Sequence, residues 1–572
     1  MNYTANIIEP ERHFLPKDFV ITDWKNLEPW FKELLERGIN SKEELGKWLK
    51  DASELEAVAS EDANWRQIRM TCDTENKKLE EDFTFFVMKI QPHIQVYADR
   101  LNKKLVENPF TARLDHDKYF TYLRNVKKNI ELFREENVPL NAELNVMAQQ
   151  FGVIAGKMTV ELDGKEFTLQ QAAKFLESPD RNLREEVYRK INERRLQDKD
   201  ELNKLFAGLV QKRNQVALNA GFSNYRDYRF KELGRFDYSK EDCFQFHEAV
   251  KLHVLPLVNE IYEKKKKKLG IDPLRPWDTE AEPAGVTPLN PFKTGEELLQ
   301  KSVDCLQSVN SFFADCLLQM KKMNRLDLES RKGKAPGGYN CPLPETGAPF
   351  IFMNAAGQMS DVTTMVHESG HAVHSFLTHS LELSSFKEYP MEIAEVASMS
   401  MEFFSMDHWD KFFNSKEDLQ RAKEYQLERV ITIFPWIATI DKFQHWIYEN
   451  PMHTEDQRAE KWMDILKEFS SSVIDFSGLE GYRRFGWQRQ LHLFEVPFYY
   501  VEYGIAQLGA IGLWMQFKKN REETLNNYIN ALSLGGTKTL PQLFQSAGLR
   551  FDFSPAHVSE LMSFVHSEMK SL

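Results

Sequence analysis

From Trp24 to about Asn108, apolar residues recur every three or four positions with lysine and glutamate between them. That period predicts long amphipathic helices, and the aromatic stripe along them, including Trp30, Phe31, Trp48, Phe83, Phe85 and Phe86, reads as core. Asn108-Pro109-Phe110 breaks the run before helical spacing resumes to about Ala155. The period then falls to two. Residues 158–169 alternate on either side of Asp163-Gly164, which predicts a hairpin with a type I′ turn. Ser178-Pro179-Asp180 reads as the cap and first turn of renewed helix through Ile191, Leu205 and Val216. A soft boundary near 185 divides an N-terminal helical region with its hairpin, 1–185, from a helical catalytic region, 186–572.

Residues 271–292 carry five prolines and read as an ordered loop. A second Gly/Pro-rich segment, 332–358, turns into the apolar run Pro349–Asn354, a strand whose edge is free to pair with an extended peptide. Its glycines do not have the spacing of a phosphate-binding loop. Val496 to Phe517 is long and apolar enough to raise a membrane question, but Glu502, Gln507 and its tyrosines predict a helix buried in protein that exposes polar groups to a cavity. Leu534–Thr539 reads as a glycine turn leading to a helix capped by Thr539, with Pro541 in its first turn.

The chemistry concentrates in His367-Glu368-Ser369-Gly370-His371. On a helix two histidines four apart stand on one face, so both imidazoles reach one metal ion while Glu368, on the adjacent strip, touches a water on the metal. Val362, Met365, Val366, Ala372, Val373 and Phe376 predict that the helix is sunk in a core, with Ser360 or Asp361 as its cap. A catalytic zinc needs a third protein ligand, and Glu395, among Ala394, Val396, Ala397 and Ser398, occupies a surface where two helices approach closely. Glu402, two turns on, suits a partner that orients a ligating histidine. His374, one turn beyond His371, is a rival ligand by spacing, but the H-E-x-x-H pair reaches the ion without it, so it reads as core or as a partner of a ligand. The plainer alternative for each glutamate is a solvated helix position.

These residues resemble the oligoendopeptidase F branch of the thimet-oligopeptidase-like zinc metallopeptidases. The resemblance takes in Arg331–Tyr339, Pro349–Asn354, His367–His371, Ala394–Ser398, His492 with Pro497–Tyr500 and Tyr503, and Leu534–Thr539. It implies a mostly α, two-lobed metallopeptidase with a deep central channel, small β elements near the active site, and activity restricted to short peptides. It also implies that His492 and Tyr503 stabilise an oxyanion. The tyrosine register stays open between Tyr499, Tyr500 and Tyr503, and Gly337, Gly338, Asn354, Tyr499 and Tyr500 are candidate substrate contacts.

Charge changes the picture only by exclusion. A net charge of −12 disfavours a nucleic-acid partner, and Lys264–Lys268 reads as a solvated helix C-terminus. The five cysteines are scattered, a reduced pattern, and Met1–Pro10 lacks a basic region and an apolar run, so a cytoplasmic protein with no membrane partner is expected. The expected function is zinc-dependent cleavage of internal bonds in oligopeptides, with one zinc ion held by His367, His371 and Glu395 and Glu368 activating water. Alternatives are a helical metallocarboxypeptidase, or a peptide-binding scaffold that carries the motif by accident.

Overall fold

In the computed structural model, residues 5, 7, 11–331 and 333–572 are described; most of Met1–Pro10, and Lys332 within the Arg331–Tyr339 motif, lie outside the described residues. The amphipathic stretches form helices Trp24–Glu36, Lys42–Cys72, Lys77–Phe85 and Gln91–Glu107, and the first three are capped by the side chains of Asp23, Ser41 and Asn76. With helix His116–Leu132 they close on a core that includes Leu27, Phe31, Leu45, Trp48 and Ile90. Leu383 and Phe386, far along the chain, belong to the same core. The Glu61 carboxylate fastens this lobe to the rest, accepting the backbone N–H groups of Glu345 at 2.9 Å and Thr346 at 2.8 Å.

A larger core runs from Leu132 to Val565. The fold is mostly α, with five short strands among the described residues. Strands β1 (Thr159–Leu162) and β2 (Lys165–Thr168) form the expected hairpin, and Asp163 and Gly164 both take positive φ, 51° and 74°, as a type I′ turn requires. After the short helix Leu169–Ala173, the next long helix begins at Arg181 with Asp180 as N-cap, so Pro179 precedes the first turn rather than filling it.

Beside the motif, β3 (Leu326–Glu329), β4 (Tyr339–Cys341) and β5 (Phe350–Ala355) form one sheet in the order β3-β5-β4. The expected strand is therefore the central one. Parallel to β3 and antiparallel to β4, β5 has no free edge to offer a peptide; β3 and β4 are the edge strands.

The motif helix, Met359–Thr378, starts earlier than expected, with Gln358 at the N-cap. Asp361 sits in its first turn and accepts the N–H groups of Ala356 and Gln358, both at 2.8 Å. Across from it lies the glutamate helix, Met391–Met406, buried along almost its whole length. The tyrosine helix, Tyr500–Lys519, packs against the glutamate helix in turn; it starts after Phe498, whose φ is 66°, rather than at Val496. Among the described residues no helix is long and apolar enough to cross a membrane.

Gly370 sets the separation of the first two helices. A Cβ there would stand 2.5 Å from Ser398 Cα and 2.6 Å from the Ala397 carbonyl oxygen, backbone atoms that cannot rotate away. Gly370→Ala gains about 1 kcal/mol of helix propensity, yet overpacking of this kind costs roughly 1–3 kcal/mol, so a net loss is expected. Urea denaturation should show a lower midpoint at an unchanged slope. An unchanged midpoint would mean that the two helices separate freely.

Candidate metal centre and active site

Helical spacing delivers His367 and His371 to one face of the motif helix, their ring centroids 5.0 Å apart. The close approach at Gly370 brings Glu395 up opposite them. Its Oε2 lies 3.3 Å from His367 Nε2 and 3.7 Å from His371 Nε2, and one ligand atom from each of the three residues lies within 4.8 Å of the others. Glu395 is 2% exposed. Burial alone would raise its pKa, but His371, His367 and the Tyr499 hydroxyl outweigh that and hold it at about 2. Tyr499 donates to Glu395 Oε1 at 2.6 Å and Ser398 Oγ donates to Oε2 at 3.1 Å.

A chain of hydrogen bonds fixes the other side of His367. Thr363 Oγ1 donates to Gln426 Oε1 at 3.1 Å, Gln426 Nε2 donates to Glu402 Oε2 at 2.6 Å, and Glu402 Oε1 accepts from His367 Nδ1 at 2.8 Å. With Nδ1 donating to Glu402, the ring presents Nε2 to Glu395, the nitrogen that would ligate an ion held between them. Burial would lower the pKa of His367, but Glu395 and Glu402 carry it well above the ordinary value. Burial lowers that of His371 to about 4, which keeps this ring a neutral donor. Two imidazoles and a buried carboxylate that share one point are a donor set that fits a borderline divalent cation, zinc above all.

Glu368 lies beside the set and outside it. Its Oε2 is buried with no hydrogen-bond partner, and burial, reinforced by Glu395 and Glu402 against His367, raises its pKa to about 7. His374 turns into the core, stacked on Tyr389 with centroids 3.5 Å apart, and is not among the converging ligands.

The tyrosines sort themselves by partner. Tyr503 Oη lies 3.2 Å from His492 Nε2, Tyr499 is engaged by Glu395, and Tyr500 lines a neighbouring cavity of about 820 Å³ together with Gly337, Arg195 and Arg489. His371, His367 and Glu395 are not in its lining, so this cavity adjoins the metal centre rather than containing it. Asn354 holds the glycine loop, its amide donating to the Ala335 and Gly337 carbonyls at 2.8 Å each. Gly338 runs against β5, where an added Cβ would meet the Phe352 carbonyl at 3.4 Å. Asn340, on the outer strand β4, donates to the Glu368 carbonyl at 3.2 Å, which ties the free sheet edge to the motif helix.

Sequence reasoning missed Thr363, Gln426, Ser398, Gln490 and Trp436. The indole N–H of Trp436 can only donate, and it meets Gln490 Oε1 at 2.8 Å. The amide nitrogen of Gln490 therefore faces His492 Nδ1, at 2.7 Å, and donates to it. That leaves the proton of the neutral ring on Nε2, toward Tyr503, and burial lowers the pKa of His492 to about 4, which keeps the ring neutral.

Known proteins share this architecture. The oligoendopeptidase F homolog of Borreliella burgdorferi is 24% identical over 375 residues, 64% of this chain and 61% of that protein. Oligopeptidase PepF of Bacillus subtilis is 25% identical over 401 residues, 67% of this chain and 56% of that one. The matches to these two thus span less than two thirds of their length. Group B oligopeptidase PepB of Streptococcus agalactiae is 22% identical over 486 residues, 82% of this chain and 78% of that one. Among solved structures, PZ peptidase A with inhibitor 2 superposes with a TM-score of 0.91 at 26% identity, covering 96% of this chain and 97% of that one. An X-ray structure assigned to oligoendopeptidase F also reaches 0.91 at 26% identity, covering 100% and 99%. Residues 174–563 match Peptidase family M3 and residues 14–133 the Peptidase M3 N-terminal domain, so this chain belongs to peptidase family M3, in its oligoendopeptidase F branch.

Proposed function

We propose that this protein is a zinc-dependent endopeptidase that hydrolyses internal bonds of short oligopeptides, in a reducing compartment such as the cytoplasm. The observation that carries the reading is the convergence of His367, His371 and Glu395 beside Glu368, whose buried Oε2 has no partner. In this reading the first three hold one zinc ion. Zinc bound there supplies Lewis acidity, which makes water acidic enough to lose a proton near neutral pH and polarises a carbonyl.

The other roles follow from hydrogen bonds of the chain itself. Glu368, with a pKa of about 7, takes a proton on Oε2 from the attacking water, and can later pass it to the leaving amine. His492 Nε2–H donates to Tyr503 Oη, which frees the Tyr503 hydroxyl proton for the oxyanion that develops on the substrate. Tyr499 and Ser398 steady Glu395, while Glu402 and Gln426 steady His367. The outer edge of β4 offers main-chain pairing that does not depend on substrate side chains, and Gly337 with Tyr500 lines the adjoining cavity that receives more of the peptide.

Peptides blocked at both ends decide between endopeptidase and carboxypeptidase action. Mass spectrometry of such a mixture, about five to twenty residues long, should find internal cuts with the wild type. Glu368→Gln should retain the ion and cut about 10²–10⁴-fold more slowly. Blocked peptides left intact by a wild type that trims free C-termini would make it a carboxypeptidase; no cleavage of either kind would leave a binding scaffold.

Two further variants separate the supporting groups. Tyr503→Phe should lower kcat roughly 10²–10³-fold with little change in KM, as loss of one oxyanion donor does. Glu402→Gln should weaken zinc binding about 10–100-fold, measured by competition with a chelator, because His367 loses the acceptor that fixes its ring. Unchanged zinc affinity would remove Glu402 from that role.

A further inference from the structure

Away from the motif helix, five buried polar atoms without a hydrogen-bond partner cluster together: His247 Nδ1, Asp441 Oδ1, Gln444 Nε2 and both ring nitrogens of His445. Two helices meet there. Helix Lys240–Ala249 carries Cys243 and His247 one turn apart, and the long helix Lys416–Glu449 carries Asp441 and His445 one turn apart, so each pair shares one face. None of the four is more than 2% exposed. Cys243 Sγ, a carboxylate oxygen of Asp441 and a ring nitrogen of His445 lie within 4.8 Å of one another, the limit that His367, His371 and Glu395 also meet. His247 Nε2 is 2.8 Å and His445 Nε2 3.3 Å from the same oxygen, Asp441 Oδ2. The rings of Phe230, Phe244 and Phe498 wall His445, with centroids 5.7, 4.8 and 5.4 Å away.

A carboxylate in such dry surroundings is costly unless a cation compensates it. Of the neighbouring cations, Arg235 bonds Glu502 at 2.8 Å and Lys442 bonds Glu468 at 2.7 and 2.9 Å, and no hydrogen bond joins either of them to Asp441. A proton on His445 would balance the charge but would leave Asp441 Oδ1 and the Cys243 thiol with nothing to bind. One sulfur, one nitrogen and one oxygen converging on a point are what a borderline divalent ion recognises.

We infer that Cys243, Asp441 and His445 bind a structural divalent ion of the zinc class, with His247 orienting the Asp441 carboxylate. The site is independent of the peptidase reading. On binding, the Cys243 thiol gives its proton to solvent and ligates as thiolate. The ion ties two helices together beside Gln444, whose Oε1 accepts the N–H of Phe498 at 2.5 Å, just before the tyrosines of the active site.

Sulfur distinguishes the two sites, because the His367 site contains none. The full chain, loaded with Zn²⁺ under reducing conditions and passed through a desalting column, should hold two zinc ions by mass spectrometry of the metal. His367→Ala/His371→Ala should hold one, and Cys243→Ser one. Loaded with Co²⁺, the wild type and the double alanine variant should both show a thiolate-to-cobalt charge-transfer band in the near ultraviolet that Cys243→Ser lacks. One zinc in the wild type, none in the double alanine variant and no such band would overturn the proposal, leaving the four residues a hydrogen-bonded network. Should either variant fail to fold, the presence or absence of the band in the wild type still decides.

Discussion

The contact on which the site depends is that of the Glu395 carboxylate with two imidazoles across a helix interface with no room for a side chain at Gly370. A carboxylate 2% exposed is unfavourable by itself. It is tolerable because the imidazoles, a tyrosine hydroxyl and a serine hydroxyl all point at it. Widening the gap by even a methyl group would lengthen both imidazole contacts together. Backbone separation, more than the identity of any one ligand, therefore sets the geometry of the centre. Other close contacts pack the glutamate helix against its remaining neighbours: Tyr528 donates to the Ala397 carbonyl at 2.7 Å, and at Gly509 an added Cβ would meet Val396 at 2.8 Å.

Two hydrogen-bond chains then aim the histidines, and each begins at a group with no freedom of choice. Trp436 has only a donor, so the orientation of Gln490 and the tautomer of His492 follow from it. Glu402, when ionised, has only acceptors, so both His367 Nδ1 and the Gln426 amide must donate to it. Proton positions near the reacting atoms are thus set by side chains remote from any substrate. That arrangement reduces the reorganisation needed as charge develops.

Much of this was legible in the sequence where the signal is local. A two-residue period marked the hairpin, a helical period marked the N-terminal lobe, and a spacing of four put His367 and His371 on one face. Glu395 could be singled out because small residues around it betray a close helix contact. Gln426 and Gln490 carried no such mark, since a glutamine is usually solvated and only tertiary packing brings Glu402 to the first and Trp436 to the second. The central position of β5 was equally hidden: an apolar run predicts a strand, but which strands flank it depends on pairing between residues far apart in the chain. The cap of the motif helix was misplaced for a smaller reason. Asp361 lies three residues inside the helix and accepts the backbone N–H of the cap residue Gln358, as the inner residue of a capping box does.

Helices offer the same geometric device twice in this molecule, and solvent access separates the two uses. His367 and His371 on one helix, and Asp441 and His445 on another, are each four residues apart. The side chains of the first pair are 17% and 14% exposed, on the wall that also carries Glu368, Tyr503 and the outer edge of β4. Those of the second are 0% and 3% exposed and ringed by phenylalanines. Hydrolysis needs water, a substrate carbonyl and a base to meet at one point, which only the first setting permits. The second excludes all three, so whatever holds it together contributes to the rigidity of the long helix and not to chemistry. One helical spacing serves both, because spacing decides only which side chains meet; the packing around them decides what else can reach them.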